Sequence, residues 1–202
     1  DALYTVNKDI PHGKVIYTDY YSSVLGENRP LLVYTPAGYE KGKKYPVFYL
    51  ISGTTDTEEV YYKVGRVNYI LDNLIAEGKA KEMIVVLPYG NPYKLLPVMP
   101  ANQMPVTGFG QDVFSNDLVN DLMPYIESTY RTINDRENRA IGGFSRGGNQ
   151  GLSNGLHNLD KFSYLCSYSS FTSMDIPGVY DDAVKANDQI KLFWLGVGTD
   201  DF

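Results

Sequence analysis

The chain has 202 residues, of which 43% are apolar and 21% charged, and its formal net charge is −6. This composition is ordinary for a globular protein, and the length suits one domain with a substantial core. The negative charge argues against nucleic acid as a partner, and the absence of any run of about 18 apolar residues argues against a membrane span. We therefore predict a single domain over residues 1–202.

The chain contains one cysteine, Cys166, which stands in an apolar segment. A single cysteine excludes a disulfide framework within the chain and a metal site built from several thiolates. We predict a buried structural thiol at this position and no bound metal.

The first half of the chain predicts an edge hairpin followed by a buried strand and a helix. Residues 14–21 and 30–34 are β-branched and aromatic runs separated by turn residues, and residues 46–51 form a continuous apolar run. Such a run is typical of a strand buried on both faces. Apolar residues at helical spacing over 67–75 predict a helix that Gly78 ends.

A second buried strand is predicted at 83–87, and a long segment without periodicity follows it over residues 88–113. A loop of that length in a compact domain is usually functional, as a lid or a binding loop. A surface excursion without function explains the same pattern, and both interpretations stay open.

The second half of the chain continues the alternation of helices and strands. We predict a helix capped by Ser115 and kinked at Pro124, a strand around Ile141, and strands at 164–168 and 192–197. Strands that alternate with helices indicate an α/β fold with a mostly parallel central sheet and helices on both faces. Ligands of such sheets bind at the carboxyl ends of the strands.

The most informative pattern is Gly-Phe-Ser-Arg-Gly at residues 143–147, between the Ile141 strand and a helix. A sharp strand-to-helix turn of this form exposes a serine hydroxyl at the carboxyl edge of the sheet. Glycines two residues before and after the serine fit because side chains there would collide. Ser145 is therefore the predicted nucleophile.

A serine nucleophile needs a base and an acid that orients the base. In this architecture the acid follows a later strand, and Asp200 and Asp201 come directly after the 192–197 strand. One of these two is the predicted acid, although paired aspartates after a strand are often only a solvated turn.

Neither histidine of the chain suits the role of base. His157 follows Ser145 on the same predicted helix, more than about 15 Å away, and His12 precedes the first strand. The chain also ends at Phe202 without a final covering helix. We expect that the last helix and the histidine loop lie outside these residues, and that the 202 residues alone are nearly inactive.

Two backbone N–H groups are expected to bind the oxyanion that forms during acyl transfer. One is the N–H of Arg146, and the other comes from the loop Ser-Gly-Thr-Thr at residues 52–55. The Arg146 side chain could meet a substrate carboxylate or sugar, or form an ordinary surface ion pair.

The sequence resembles a known family over nearly its whole length. It is similar to the esterase D-like α/β-hydrolases, and specifically to the feruloyl and acetyl xylan esterases of carbohydrate esterase family one. The matching segments are residues 11–15, 33–39, 45–50, 64–66, 71–80, 121–127, 136–140, 143–145 and 198–202.

The resemblance implies an α/β-hydrolase fold, Ser145 as nucleophile, Asp201 as acid and a histidine in a later Gly-His segment. It also implies a secreted or periplasmic protein that acts on acylated xylan or oligosaccharide without a cofactor. Three departures stand out in this sequence. Residues 52–55 replace the family's His-Gly-Gly-Gly, with Thr54 N–H as the remaining oxyanion donor, Tyr61 replaces a tryptophan near the cleft, and Arg146 replaces a methionine.

We therefore predict a serine carboxylic-ester hydrolase that removes feruloyl or acetyl groups from plant cell-wall xylan through an acyl-enzyme. Ser145, Asp201 and the N–H groups of Arg146 and Thr54 would carry the chemistry, and Tyr61 would contact substrate. The alternatives are a non-catalytic carbohydrate-binding or degenerate hydrolase-fold protein, and an acyltransferase that uses the same residues.

Overall fold

The structure, a computed structural model, describes residues 2–39, 42–92, 113–170, 176 and 179–201. Its strands are β1 (Lys14–Ser22), β2 (Glu27–Thr35), β3 (Val47–Ile51), β4 (Ile84–Pro88), β5 (Arg139–Phe144), β6 (Tyr164–Tyr168) and β7 (Leu192–Gly196). Its α-helices are α1 (Val60–Lys63), α2 (Val67–Ala76), α3 (Val113–Asp117), α4 (Met123–Thr129), α5 (Arg146–His157) and α6 (Ala183–Gln189).

All seven strands form one sheet in the order β1-β2-β4-β3-β5-β6-β7. The β1–β2 and β2–β4 pairs are antiparallel, and the four remaining pairs are parallel. The predicted edge hairpin and mostly parallel sheet are therefore confirmed, with strand ends that differ from the predicted ends by a few residues.

Helices cover both faces of the sheet. Successive strand residues point to opposite sides, and in the central strands both sets of side chains are apolar. On one face Val33, Val86 and Ile141 pack with residues of α3, α4 and α5. On the other face Leu32 and Leu87 pack against α2. Residues of the central strands alternate between these two cores. Because both faces are buried, these strands are continuous apolar runs in the sequence.

The predicted end of α2 is confirmed. The helix stops at Ala76, and Gly78 adopts a φ of +69°. That left-handed conformation favours glycine because it has no Cβ.

The helix after the long loop differs from the prediction in two respects. Ser115 lies inside α3 and is buried, so it is not the helix cap that the sequence predicts. The chain continues through a π-helical turn over Leu118–Leu122 before α4 begins. Pro124, which has no N–H for an intrahelical bond, follows this turn directly, so the irregularity comes as a π turn rather than a simple kink.

Most of the predicted loop over residues 88–113 lies outside the described residues, since the description resumes only at Val113. Pro88 ends β4, and the residues directly after it stay at the carboxyl edge of the sheet, where Gly90 N–H donates to Ser52 Oγ at 3.4 Å. Among the described helices, none has the length and apolar character needed to cross a bilayer.

The β7 end of the sheet is far less buried than its centre. Phe193, Trp194 and Leu195 are 47%, 43% and 55% exposed. A largely apolar groove of about 520 Å³ runs over the α2 side of this end and is lined in part by Cys166 and Trp194. The Cys166 side chain is therefore half-buried, not fully buried as predicted, although desolvation still raises the pKa of its thiol to about 11.

Candidate active site

Ser145 lies in the turn between β5 and α5, at the carboxyl edge of the parallel strands. Its backbone has a φ of 54° and a ψ of −121°, a conformation that non-glycine residues rarely adopt. Its own C=O accepts the N–H of Asn149 at 3.0 Å as α5 begins. The geometry is that of the predicted nucleophile elbow, with a half-buried serine at its apex.

The glycines that flank Ser145 are required by close backbone contacts. A Cβ at Gly143 would lie 2.3 Å from the carbonyl oxygen of Ile51, and a Cβ at Gly147 would lie 2.2 Å from the same oxygen. Real Cβ atoms do not approach backbone this closely, so only glycine lets the elbow pack on the end of β3.

The sheet ladder extends past the strand ends and ties the elbow to its neighbours. Ser145 N–H donates to the carbonyl of Tyr168 at 2.9 Å, and Ser169 N–H donates to the carbonyl of Gly196 at 2.7 Å. The strand ends that carry Ser145 and the loop after β7 are thereby held in one register.

Asp201 lies in that loop, at the same edge of the sheet as Ser145. Its backbone N–H donates to Gly198 C=O at 3.2 Å, and its side chain is exposed. Two strand spacings of about 4.8 Å each separate the ends of β5 and β7. The distance between the Ser145 and Asp201 side chains is therefore longer than a hydrogen bond, and a third group would be needed to connect them.

The two histidines lie elsewhere, as predicted. His12 Nδ1 is 2.9 Å from the buried Asp72 carboxylate, which also accepts the Tyr34 hydroxyl at 2.7 Å. Tyr34 pairs with Val85 near the start of β4, so this cluster lies at the amino edge of the parallel strands. His157, at the far end of α5, bonds the carbonyl of Ser153 at 2.8 Å.

The predicted oxyanion loop follows β3 and turns tightly beside the elbow. The N–H of Asp56 donates to the carbonyl of Gly53 at 3.4 Å, which closes a turn around Thr54. Thr54 is exposed at this turn, and Ser52 before it is buried. Arg146 is the first residue of α5, where an N–H points away from the intrahelical hydrogen-bond ladder. Both predicted donors therefore come from segments that meet at the elbow.

Tyr61, predicted to contact substrate, belongs to α1 and is half-buried. Its hydroxyl donates to the carbonyl of Ile51 at 3.0 Å, at the end of β3. Burial raises the pKa of Tyr61, although a hydrogen bond with the backbone of Phe144 opposes the shift. The ring is thus neutral and anchored between the oxyanion loop and the elbow.

The structure adds a residue that sequence reasoning missed. Asn91, three residues after β4, is 2% exposed and contacts both Thr54 and Arg146 through its side chain. An asparagine directly after a buried strand, at the edge where ligands bind, is the signal that could have identified it. Its neighbour Gly90 accepts a hydrogen bond from Gln150 of α5 at 2.9 Å.

Within the described ranges, no cluster of three or more histidine, cysteine, aspartate or glutamate side chains could hold a metal ion. The polar groups assembled at the elbow are a hydroxyl, an amide, a guanidinium and backbone N–H groups. These groups suit acyl transfer with an oxyanion held by hydrogen bonds.

Comparison with known proteins supports this interpretation. Residues 22–195 match the family model described as "Putative esterase". An endo-1,4-β-xylanase/feruloyl esterase of Xylanibacter ruminicola is 32% identical over 97% of this chain and 26% of its own length. Endo-1,4-β-xylanase Y of Acetivibrio thermocellus is 30% identical over 68% of this chain and 12% of its own length. The chain thus spans about a quarter or less of these two relatives.

The fold is also that of solved structures. A CE1 ferulic acid esterase from the anaerobic fungus Anaeromyces mucronatus superposes with a TM-score of 0.74 at 26% identity, covering 100% of this chain and 89% of that one. The predicted α/β-hydrolase fold of the feruloyl esterase type is confirmed.

Proposed function

The chain belongs to this esterase family, and we propose that it is a serine carboxylic-ester hydrolase that removes feruloyl or acetyl groups from plant cell-wall xylan. The observation that carries the proposal is Ser145, held at a φ of 54° by glycines that no larger residue could replace. Strained backbone of this kind clusters at active sites, where the strain is part of the mechanism.

In the proposed mechanism the Ser145 hydroxyl attacks the ester carbonyl carbon and its proton passes to a base. The C=O π electrons move onto the carbonyl oxygen, where the N–H groups of Arg146 and Thr54 stabilise the charge. Collapse of this intermediate expels the sugar alkoxide, which takes up the proton. Water then attacks the acyl-enzyme by the same route and releases ferulate or acetate.

We propose that the base is a histidine from outside these 202 residues, oriented by Asp201. His12 is bound to Asp72 at the opposite edge of the sheet, and His157 lies at the far end of a 12-residue helix. That helix is about 18 Å long, so neither ring reaches Ser145. An imidazole between Ser145 and Asp201 would fill the gap between the β5 and β7 ends.

The substrate assignment draws on the relatives. One is named a xylanase/feruloyl esterase and another a ferulic acid esterase. In this chain Tyr61, packed beside the elbow, offers an aromatic wall for a flat phenolic acyl group. Because xylan is a polymer that lies outside cells, we propose that the protein is secreted or periplasmic.

The test uses the full-length protein with methyl ferulate, an aryl acetate and acetylated xylan. We expect hydrolysis of at least one of these, and a loss of at least about 1,000-fold in kcat for Ser145→Ala. Absence of hydrolysis of all three, or an unchanged rate in Ser145→Ala, would overturn the proposal.

Two observations favour a second candidate, a degenerate hydrolase that binds carbohydrate without cleaving it. Both histidines of the chain lie away from Ser145, and residues 52–55 keep one glycine, Gly53, where the family's oxyanion loop has three. Binding of xylo-oligosaccharide without labelling of Ser145 by a fluorophosphonate would support this candidate. Labelling that Ser145→Ala abolishes would support the esterase.

A further inference from the structure

We propose that Asn91 is a positioning residue that orients the oxyanion loop and the Arg146 side chain against each other. This inference rests on the proposed esterase function and names a residue that the mechanism above does not use. Asn91 touches none of the reacting atoms in that mechanism. It acts through the loop at Thr54, whose N–H is a proposed oxyanion donor, and it contacts the side chain of Arg146, whose backbone N–H is the other donor.

The contacts of the Asn91 side chain require an amide. Its Nδ2 donates to the carbonyl of Thr54 at 3.2 Å, and its Oδ1 accepts from Nη1 of Arg146 at 3.4 Å. A carbonyl can only accept a hydrogen bond and a guanidinium can only donate one, so the orientation of the amide is determined. A carboxylate could satisfy only Arg146, and an apolar side chain could satisfy neither group.

The bond to Thr54 controls the direction of the proposed oxyanion donor. The carbonyl on the amino side of Thr54, that of Gly53, accepts from Asp56 N–H at 3.4 Å. The carbonyl on its carboxyl side accepts from Asn91. Because the peptide plane of Gly53–Thr54 contains the Thr54 N–H, restraining both planes around Thr54 restrains where this N–H points.

Asn91 is itself held by a buried cation. Arg29 of β2 is 1% exposed, and its Nη2 donates to the carbonyls of Tyr89 at 3.0 Å and Asn91 at 2.5 Å. Its guanidinium also lies 5.0 Å from the centre of the Tyr89 ring. A buried guanidinium that bonds two carbonyls of one short loop leaves that loop little freedom.

The same loop is also attached to the elbow helix. Nε2 of Gln150 donates to the carbonyl of Gly90 at 2.9 Å, and Gly90 N–H donates to Ser52 Oγ at 3.4 Å. A Cβ at Gly90 would lie 2.4 Å from the Ile51 side chain. Residues 89–91 therefore connect the antiparallel part of the sheet, the oxyanion loop and α5 in one hydrogen-bonded unit.

The test compares Asn91→Asp with wild type in the full-length protein. The substitution keeps the size and the acceptor for Arg146 but replaces the donor to Thr54 with a second acceptor. We expect kcat per titrated active site to fall about 10- to 100-fold with KM changed by less than about threefold, because a misplaced donor weakens only transition-state binding. Affinity for a boronic acid inhibitor should fall by a similar factor.

Asn91→Ala provides a second variant that lacks the charge, and we expect the same pattern. The matched control is Asn73→Asp, which removes the same kind of bond elsewhere, since Asn73 Nδ2 donates to the carbonyls of Leu3 and Thr5 at 3.2 and 3.1 Å. We expect Asn73→Asp to lower the melting temperature without changing kcat per active site.

Active-site titration with a fluorophosphonate separates misfolded from impaired enzyme. Ser145-dependent hydrolysis in wild type, with unchanged kcat per site in both Asn91 variants, would overturn this inference alone. So would a loss that appears only as fewer titratable sites. If wild type shows no Ser145-dependent hydrolysis, the proposed function fails and this inference fails with it.

Discussion

The centre of the sheet, which carries the proposed serine, and the β7 edge, which leads to the proposed acid, differ sharply in burial. At the end of β3, on which the elbow packs, Ile51 is completely buried, as is Leu87 of the adjacent β4. Along β7, which leads to Asp201, Leu192 is 47% exposed and Leu195 55%. Ser145 therefore sits on a densely packed base, and Asp201 follows a strand whose two faces are both largely exposed.

This difference indicates how the candidate site is organised. Close steric contacts and hydrogen bonds fix the positions of Ser145 and the oxyanion loop. The Asp201 loop is attached to the sheet by the hydrogen bond between Ser169 and Gly196, and the strand before it buries little apolar surface. Within the described residues, the serine side is therefore held by more contacts than the acid side.

The largest expected difference between the centre of the sheet and its β7 edge is in their glycines. In Gly147→Ala the new Cβ would meet the Ile51 and Ser52 carbonyls at 2.2 and 2.5 Å, so we expect kcat/KM to fall at least about 100-fold. In Gly198→Ala the nearest atom is Asp201 Cβ at 3.9 Å, so we expect near wild-type activity. Steady-state kinetics on an aryl ester measure both. Equal losses would remove the contrast.

The stability cost of leucine truncation should follow the same division. We expect Leu87→Ala, a change at a fully buried position, to lower the free energy of unfolding by about 2–5 kcal/mol. Leu195→Ala, at 55% exposure, should cost less than about 1 kcal/mol. Urea denaturation followed by far-UV circular dichroism gives both values, and a cost for Leu195→Ala that matches Leu87→Ala would show that β7 is covered in solution.

Trp194, the one tryptophan of this chain, reports on the β7 end directly. It is 43% exposed and its ring centre lies 4.8 Å from that of Tyr168. We expect its fluorescence to change at a lower urea concentration than the circular dichroism signal, because weakly buried edges open before the core. Coincident transitions would instead indicate one cooperative unit that includes β7.

The last contrast concerns the reactivity of Cys166, which lines the open groove and has no role in the proposed mechanism. Desolvation raises the pKa of its thiol from 9.0 to about 11, against an opposing hydrogen bond with Tyr168. Only the thiolate reacts with iodoacetamide, so at about pH 8 the folded chain should react about 100-fold more slowly than the unfolded chain. The folded rate should then rise about tenfold per pH unit up to about pH 10. Equal rates in the two states would contradict the shift.

Local pattern predicted much of the fold. The apolar run at residues 46–51, the helical spacing ended by Gly78 and the glycines around Ser145 each determine their own conformation through nearby atoms. The predicted helix cap at Ser115 was wrong because a serine at a helix start and one inside a buried helix look the same in sequence. The residues that pack over α3 are distant from it in the chain.

Burial of β7 and the role of Asn91 were less accessible for the same reason. Residues 192–197 are as apolar as a central strand. An apolar run does not show whether other elements cover the strand. The backbone of Asn91 is held by Arg29, more than sixty positions earlier, and only the pairing of β2 with β4 brings the two together.

The backbone of Ser145 has an evolutionary consequence. A non-glycine residue at a φ of 54° and a ψ of −121° costs on the order of 1–3 kcal/mol, which glycine would largely avoid. If the hydroxyl had no function, Ser145→Gly would therefore be a stabilising substitution. We therefore expect homologues that use the hydroxyl to keep serine at this position. A homologue with glycine in its place would be one that keeps the fold and has lost the reaction.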